Sequence, residues 1–287
     1  MNSTTTTTKF SLAHRLGAWV GRRREARFRQ ALRRQCPPAT LAAEQIPPAV
    51  RAAWMRQAPD DFPGLAVDDA AWLRCSTGLA QFFEACRLQQ AQGPCALPSK
   101  AADSVWHVWL QTDAAGLAAW QQRYFGQHVE HREAEALGAP LDECLARAWA
   151  GACRSEGRSP IAQRLPFLFA LDGLMRLPTG WAYGHERGVL VHRQIDGFGQ
   201  FSGSSTAHAA VGAAGLAGLG LLSASEAQAT QRRRDDSGSG DGGFSWGYSF
   251  SDGGSSDCGS SDGGGASCDG GGGSSCGGSG CGGGGGS

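Results

Sequence analysis

Residues 237–287 are built almost entirely of Gly, Ser, Asp and Cys. Such a segment cannot bury enough apolar surface to offset the entropy of ordering itself, so the sequence predicts a disordered tail. Whatever fold and chemistry the chain has must then lie upstream. Of the 287 residues, a flexible stretch before the tail is also expected to stay unpacked. What remains suits one domain of ordinary size.

A formal net charge of zero hides a polarity along the chain. The first forty residues carry Lys9 and eight arginines against the single acid Glu25, whereas the chain from Asp235 onward carries seven aspartates and no base. Four regions follow: a basic helical arm (1–38), a mostly helical domain (39–197), a small-residue linker (198–236) and the tail (237–287). Clustered guanidiniums at Arg22, Arg23 and Arg24 pair readily with phosphates, so nucleic-acid binding through the arm is one expectation. The interleaved aromatics of single-strand binders are missing there.

No leader-like segment opens the sequence, and the apolar stretch 207–222 is too short and too rich in Gly and Ala for a membrane span. A cytoplasmic protein with reduced thiols is therefore expected. Cys86, Cys144 and Cys153 fall on apolar helical stripes and read as core residues. Cys258, Cys268, Cys276 and Cys281 lack the paired spacing of a zinc ribbon. Just before them, Phe244, Trp246, Tyr248 and Phe250 alternate as a candidate segment for docking on the domain or a partner.

Helical periodicity dominates the middle of the chain. A basic amphipathic helix is expected over 11–35, stopped by Cys36 and the prolines after it. A short helix follows Pro47 and Pro48. Between 68 and 90, Trp72, Cys75, Leu79, Phe82, Phe83 and Cys86 share one face, with Asp68 or Asp69 as cap. Ser99 caps a helix with Val105, Trp106, Trp109 and Leu110 on its buried stripe. Thr112 or Asp113 opens another, bearing Leu117, Trp120 and Tyr124 and ending at Gly126. These two form a predicted helical hairpin. Pro140 starts the clearest amphipathic pattern, through Cys144, Leu145, Trp149 and Cys153. Residues 165–171 are apolar all round, and periodicity leaves helix and strand open. Val189, Leu190 and Val191 suggest a short strand paired near Trp181 and Tyr183. Beyond Gly197 regular structure is expected to end. The fold class is thus mostly α, a single helical-bundle-like domain.

One constellation carries chemistry. Asp103, His107 and Gln111 recur every fourth residue, so Asp103 can reach His107 across one helical turn. A carboxylate on one imidazole nitrogen fixes the tautomer and makes the other a better base or ligand. His128 and His131 follow the hairpin. Asp103, His107 and His131 are therefore the candidate ligands for a divalent metal, although tetrahedral sites need three or four donors. Trp106, Tyr124, Arg22, Arg23 and Arg24 are candidate binding residues.

Asp103, Trp106 and His107 in the spacing Asp-x-x-Trp-His, with Leu110, Thr112, Tyr124, Phe125, Gly126 and His131, resemble the glycine-rich-domain-containing protein family. Arg147, Trp149, Cys153, the stretch 165–172 and Tyr183 extend the likeness. Trp120 and Gln121 depart from the Phe-Cys that family often has, and Glu130 with His131 departs from its His-His. The resemblance implies a shared module without an assigned reaction. The leading expectation is a non-enzymatic interaction or scaffold protein with an unknown protein partner. The alternatives are a metal-dependent or histidine-assisted enzyme using Asp103, His107 and His131, and nucleic-acid binding by the arm.

Overall fold

A computed structural model describes residues 12–162, 164–186 and 189–229, all within one unit of the chain. The predicted disordered tail, its four cysteines and the aromatic run at Phe244 lie outside the described residues. Eight α-helices precede, flank and follow a small sheet: α1 (Leu12–Gln35), α2 (Pro37–Ala43), α3 (Pro48–Asp61), α4 (Asp69–Leu88), α5 (Lys100–Phe125), α6 (Leu141–Ser155), α7 (Phe167–Met175) and α8 (Ala213–Gly218). Strands β1 (Trp181–Glu186), β2 (Val189–Ile195) and β3 (Phe201–His208) form an antiparallel meander in that order. The domain is mostly α, as its periodicity predicts.

Helix α4 sits at the centre, packed by α2, α5, α6 and α7. Asp68 accepts the Ala71 N–H at 2.7 Å and opens it, and its buried residues run around most of its circumference. Close approach of α6 depends on Gly151, where a Cβ would stand 2.6 Å from the Ala85 carbonyl oxygen.

Helix α5 breaks at Asp113, whose backbone leaves the helical region (φ −159°, ψ 72°) while its side chain accepts the Gly116 N–H at 2.8 Å. Asp113 thus caps a second helical half, which ends at Gly126 in the left-handed region (φ 68°). In a straight helix eleven residues span about 16 Å, yet the Trp109 and Trp120 rings lie 5.0 Å apart. The halves fold back on each other as the predicted hairpin. Around them Phe82, Phe83, Trp106, Trp120 and Phe125 form one aromatic cluster.

Two enclosed carboxylates tie the elements together. Asp172 of α7, 1% exposed, accepts the Ser99 hydroxyl (2.6 Å) and the Lys100, Ala101 and Trp181 N–H groups at 3.0–3.1 Å. It therefore joins the start of α5 to the start of β1. Glu156 accepts the Phe167 N–H (2.6 Å) and the Gln81 amide (2.8 Å), satisfying the N-terminus of α7 from α4 and the end of α6.

One expectation needs correction, and three others are made definite. Helix α1 ends at Gln35 as expected, and Pro37 and Pro38 then sit in the first turn of α2, where a missing N–H costs nothing. The basic arm is docked through its second half: Leu32 is fully buried and Glu25 pairs with Arg74 at 3.1 Å. The apolar run 165–171 is mainly helix α7. Regular structure does not end at Gly197, since β3 and α8 follow and Val211, Leu216 and Leu221 are buried. The stretch 198–229 belongs to the domain and is no linker there. Among the described residues no helix is long and apolar enough to cross a membrane. The six described cysteines are free and buried.

Candidate functional site

A cleft of about 830 Å³ opens beside the aromatic cluster. Its floor comes from the first half of α5, which contributes Lys100, Asp103 and Trp106; the loop after α5 supplies His131, and Leu177 and Trp181 close the sheet side. Cys86 and Cys95, both 7% exposed, lie in its wall.

Asp103 does not pair with His107. Its Oδ1 accepts from His131 Nε2 at 2.8 Å, because the chain leaving Gly126 runs back over the first half of α5. The His131 ring then lies edge-on to Trp106, with centroids 4.6 Å apart. A carboxylate can only accept, so Nε2 carries the hydrogen and Nδ1 is left as the free base. The hydrogen bond to Asp103 raises the His131 pKa above the ordinary imidazole value, outweighing the opposing effect of burial.

His107 points elsewhere. The Gln111 amide donates to its Nε2 at 2.8 Å, Asp61 lies 3.7 Å away, and Phe62 packs on the ring. His107 and His131 have ring centroids only 6.5 Å apart, but each has its Nε2 already engaged. Among the described residues no three His, Cys, Asp or Glu side chains gather in an arrangement that could hold a metal ion.

Trp106 is 4% exposed, and its indole N–H has no hydrogen-bond partner among the described residues. Three other tryptophans find acceptors or hydroxyls: Trp54 on Ser104, Trp120 on the Ala42 carbonyl and Trp149 on the Pro160 carbonyl. Lys100 has no ion pair among the described residues and holds its ammonium 5.4 Å from the Trp181 ring centre. Tyr124 lies outside the cleft, against Trp120 with centroids 5.9 Å apart. Arg22, Arg23 and Arg24 project from the exposed face of α1, with Arg23 over Trp19 at 4.1 Å. The structure brings none of these four to the cleft.

A family model described as UCP032817-like matches residues 52–204, more than half of the chain. The chain belongs to the UCP032817-like family. The match corrects the likeness to the glycine-rich-domain proteins: it stops well before residue 237, so glycine-rich composition carries none of it. The Asp-x-x-Trp-His spacing is a short helical pattern with one buried tryptophan, and it does not separate one helical family from another. The UCP032817-like match covers the cleft and most of the sheet. No curated protein and no solved structure matches the chain.

Sequence reasoning missed Lys100, Trp181 and the pairing of Asp103 with His131. Helical spacing favours the neighbour one turn away, and only the returning loop brings His131 closer. Ser99 as a cap was the one local signal that Lys100 begins a helix at the cleft edge.

Proposed function

We propose that the domain binds a small organic molecule in the cleft, with the Asp103–His131 pair exchanging a proton with it. One observation supports this above all: an imidazole oriented by a carboxylate faces a concave cavity of about 830 Å³ lined in part by Phe62, Phe82, Trp106 and Trp181. Pockets of roughly 300–1,000 Å³ with few convergent polar groups suit small ligands, whereas protein partners favour broader surfaces. The reading is thus the histidine-assisted alternative without its metal, and it displaces the scaffold role from first place. Lys100 supplies a cation at the edge that has no ion pair among the described residues, and Trp181 supplies a flat apolar face beneath it.

The test is a fragment set of aromatic carboxylates and aromatic amines, observed through the indole N–H resonances of Trp106 and Trp181. At least one member shifts both signals saturably, and His131→Ala and Asp103→Ala each weaken it about tenfold, the loss of one charge-assisted hydrogen bond. A set in which no member moves either signal rejects the reading.

A second reading concerns α1. Exposed Arg22, Arg23 and Arg24 favour a phosphate-bearing partner. Binding of a random-sequence RNA that weakens steeply with salt and is halved or worse in the triple Ala variant supports it; salt-independent binding refutes it.

A further inference from the structure

Three polar side chains outside the cleft are joined end to end. Asp142 stands in the first turn of α6, His192 in β2 and His208 at the end of β3. Asp142 Oδ1 lies 2.9 Å from His208 Nδ1, and His208 Nε2 lies 2.8 Å from His192 Nδ1. The sheet register explains the meeting. His192 pairs with Tyr183, and His208 pairs with Leu190, so the two histidines are diagonal neighbours on one face. The other Asp142 oxygen accepts the Ala210 N–H at 2.9 Å, which holds the carboxylate in place.

The order of bonds assigns the protons. Asp142 only accepts, so His208 carries its hydrogen on Nδ1. When the rings are neutral, His208 Nε2 then offers a lone pair, and His192 Nδ1 must donate to it. His192 Nε2 is left with a lone pair and no hydrogen-bond partner among the described residues. The ring is half-buried, with Trp181 and Tyr183 packed beside it. Burial, then the neighbouring His208, keeps the His192 pKa below the ordinary imidazole value, so the neutral, electron-donating form prevails at neutral pH. The titratable groups facing the pair are Asp142 from α6 and Tyr183 from β1.

We propose that His192 Nε2 is a nucleophile toward small acyl donors such as esters, with His208 and Asp142 as positioning residues that take up the displaced proton. The Nε2 lone pair forms a bond to the carbonyl carbon, and the ester C–O bond breaks with departure of the alkoxide or phenoxide. The Nδ1 hydrogen of His192 passes to His208 Nε2, and the resulting imidazolium rests against the Asp142 carboxylate. His192 therefore ends as a neutral acyl-imidazole. Water then adds to the acyl carbon and the C–N bond breaks: the carboxylate leaves, the relay proton returns along the same bonds to His192 Nδ1, and water's two protons pass to the solvent, where one meets the departed alkoxide or phenoxide. Without the relay, attack by an imidazole leaves a positive charge on the ring that bears the acyl group.

The experiment offers p-nitrophenyl acetate to the full chain and follows nitrophenoxide release, with rapid acid quench and peptide mass spectrometry. Acetyl is expected on the peptide carrying His192. His192→Gln is expected to lower the rate about a hundredfold and Asp142→Asn about tenfold. The wild-type rate falls with pH only below a midpoint under 6.5, the ordinary imidazole value. Asp142 is partly exposed, so its variant keeps the proposal testable should the His192 variant fail to fold. Acetyl found only on other residues, or an Asp142→Asn rate within about twofold of wild type, overturns it. The outcome is independent of the cleft ligand, because the relay stands outside the cleft lining.

Discussion

The cleft and the sheet face each hold an aspartate bonded to a histidine, and the two regions treat the proton in opposite ways. At the cleft, Asp103 bonds directly to His131 and favours its charged form. On the sheet face, the far ring of the relay is His192 of the middle strand, whose neighbour is another imidazole, so no carboxylate offsets its burial and its charged form is disfavoured. The lesson is that the identity of the hydrogen-bond partner decides the proton when burial is comparable. One region favours the imidazolium; the other favours the neutral ring with its lone pair.

The strongest way to break the comparison is to remove what supports both regions. Asp172 joins the start of α5, one turn before Asp103, to Trp181 at the start of the sheet. Asp172→Ala strands four donors in the interior and should cost about 3 kcal/mol or more in urea unfolding. Gly151→Val is next. Its side chain would overlap the α4 backbone at Ala85, and overpacking of this kind costs about 1–3 kcal/mol.

The comparison itself is sharpened by paired neutralisation. Asp103→Asn should lower the NMR titration midpoint of His131 towards 6.5, the ordinary imidazole value, and Asp142→Asn should leave it unmoved. Stability against pH should separate the regions as well. The His131 pKa is raised by folding, so its contribution is fully present below the unfolded value of 6.5 and is lost as pH rises through the folded value. The His192 pKa is lowered, so the unfolded chain takes up protons first and stability falls as pH drops below 6.5. Chemical unfolding of His131→Gln and His192→Gln across pH 5–8 should therefore show slopes changed in opposite directions. The smallest effect is expected at Tyr124→Phe, within about 0.5 kcal/mol of wild type, because no hydrogen bond to its hydroxyl is found among the described residues.

How much of this was legible depended on the range of the interaction. The caps at Asp68, Ser99 and Gly126 and the stripe through Trp149 are local patterns, and the helices follow them. The break at Asp113 was readable too, because an aspartate that bonds three residues ahead competes with the helix. The strand β3 was not, since Gly, Ser and small residues resemble a linker until β2 supplies ladder partners. The site failed for the same reason. Asp103 and His131 are 28 residues apart, and Asp142 and His208 are 66 apart, so no spacing rule joins them. Asp103 was expected to orient a histidine, but its partner was set by the return of the chain after Gly126.

The burial of Val211, Leu216 and Leu221 has a practical consequence for anyone shortening this chain. A fragment trimmed at residue 197, the border that composition suggests, would lose the third strand and expose apolar surface on α6 that these side chains cover. Such a fragment should be prone to aggregate and to protease attack during expression, and a cut placed after residue 229 should spare it both.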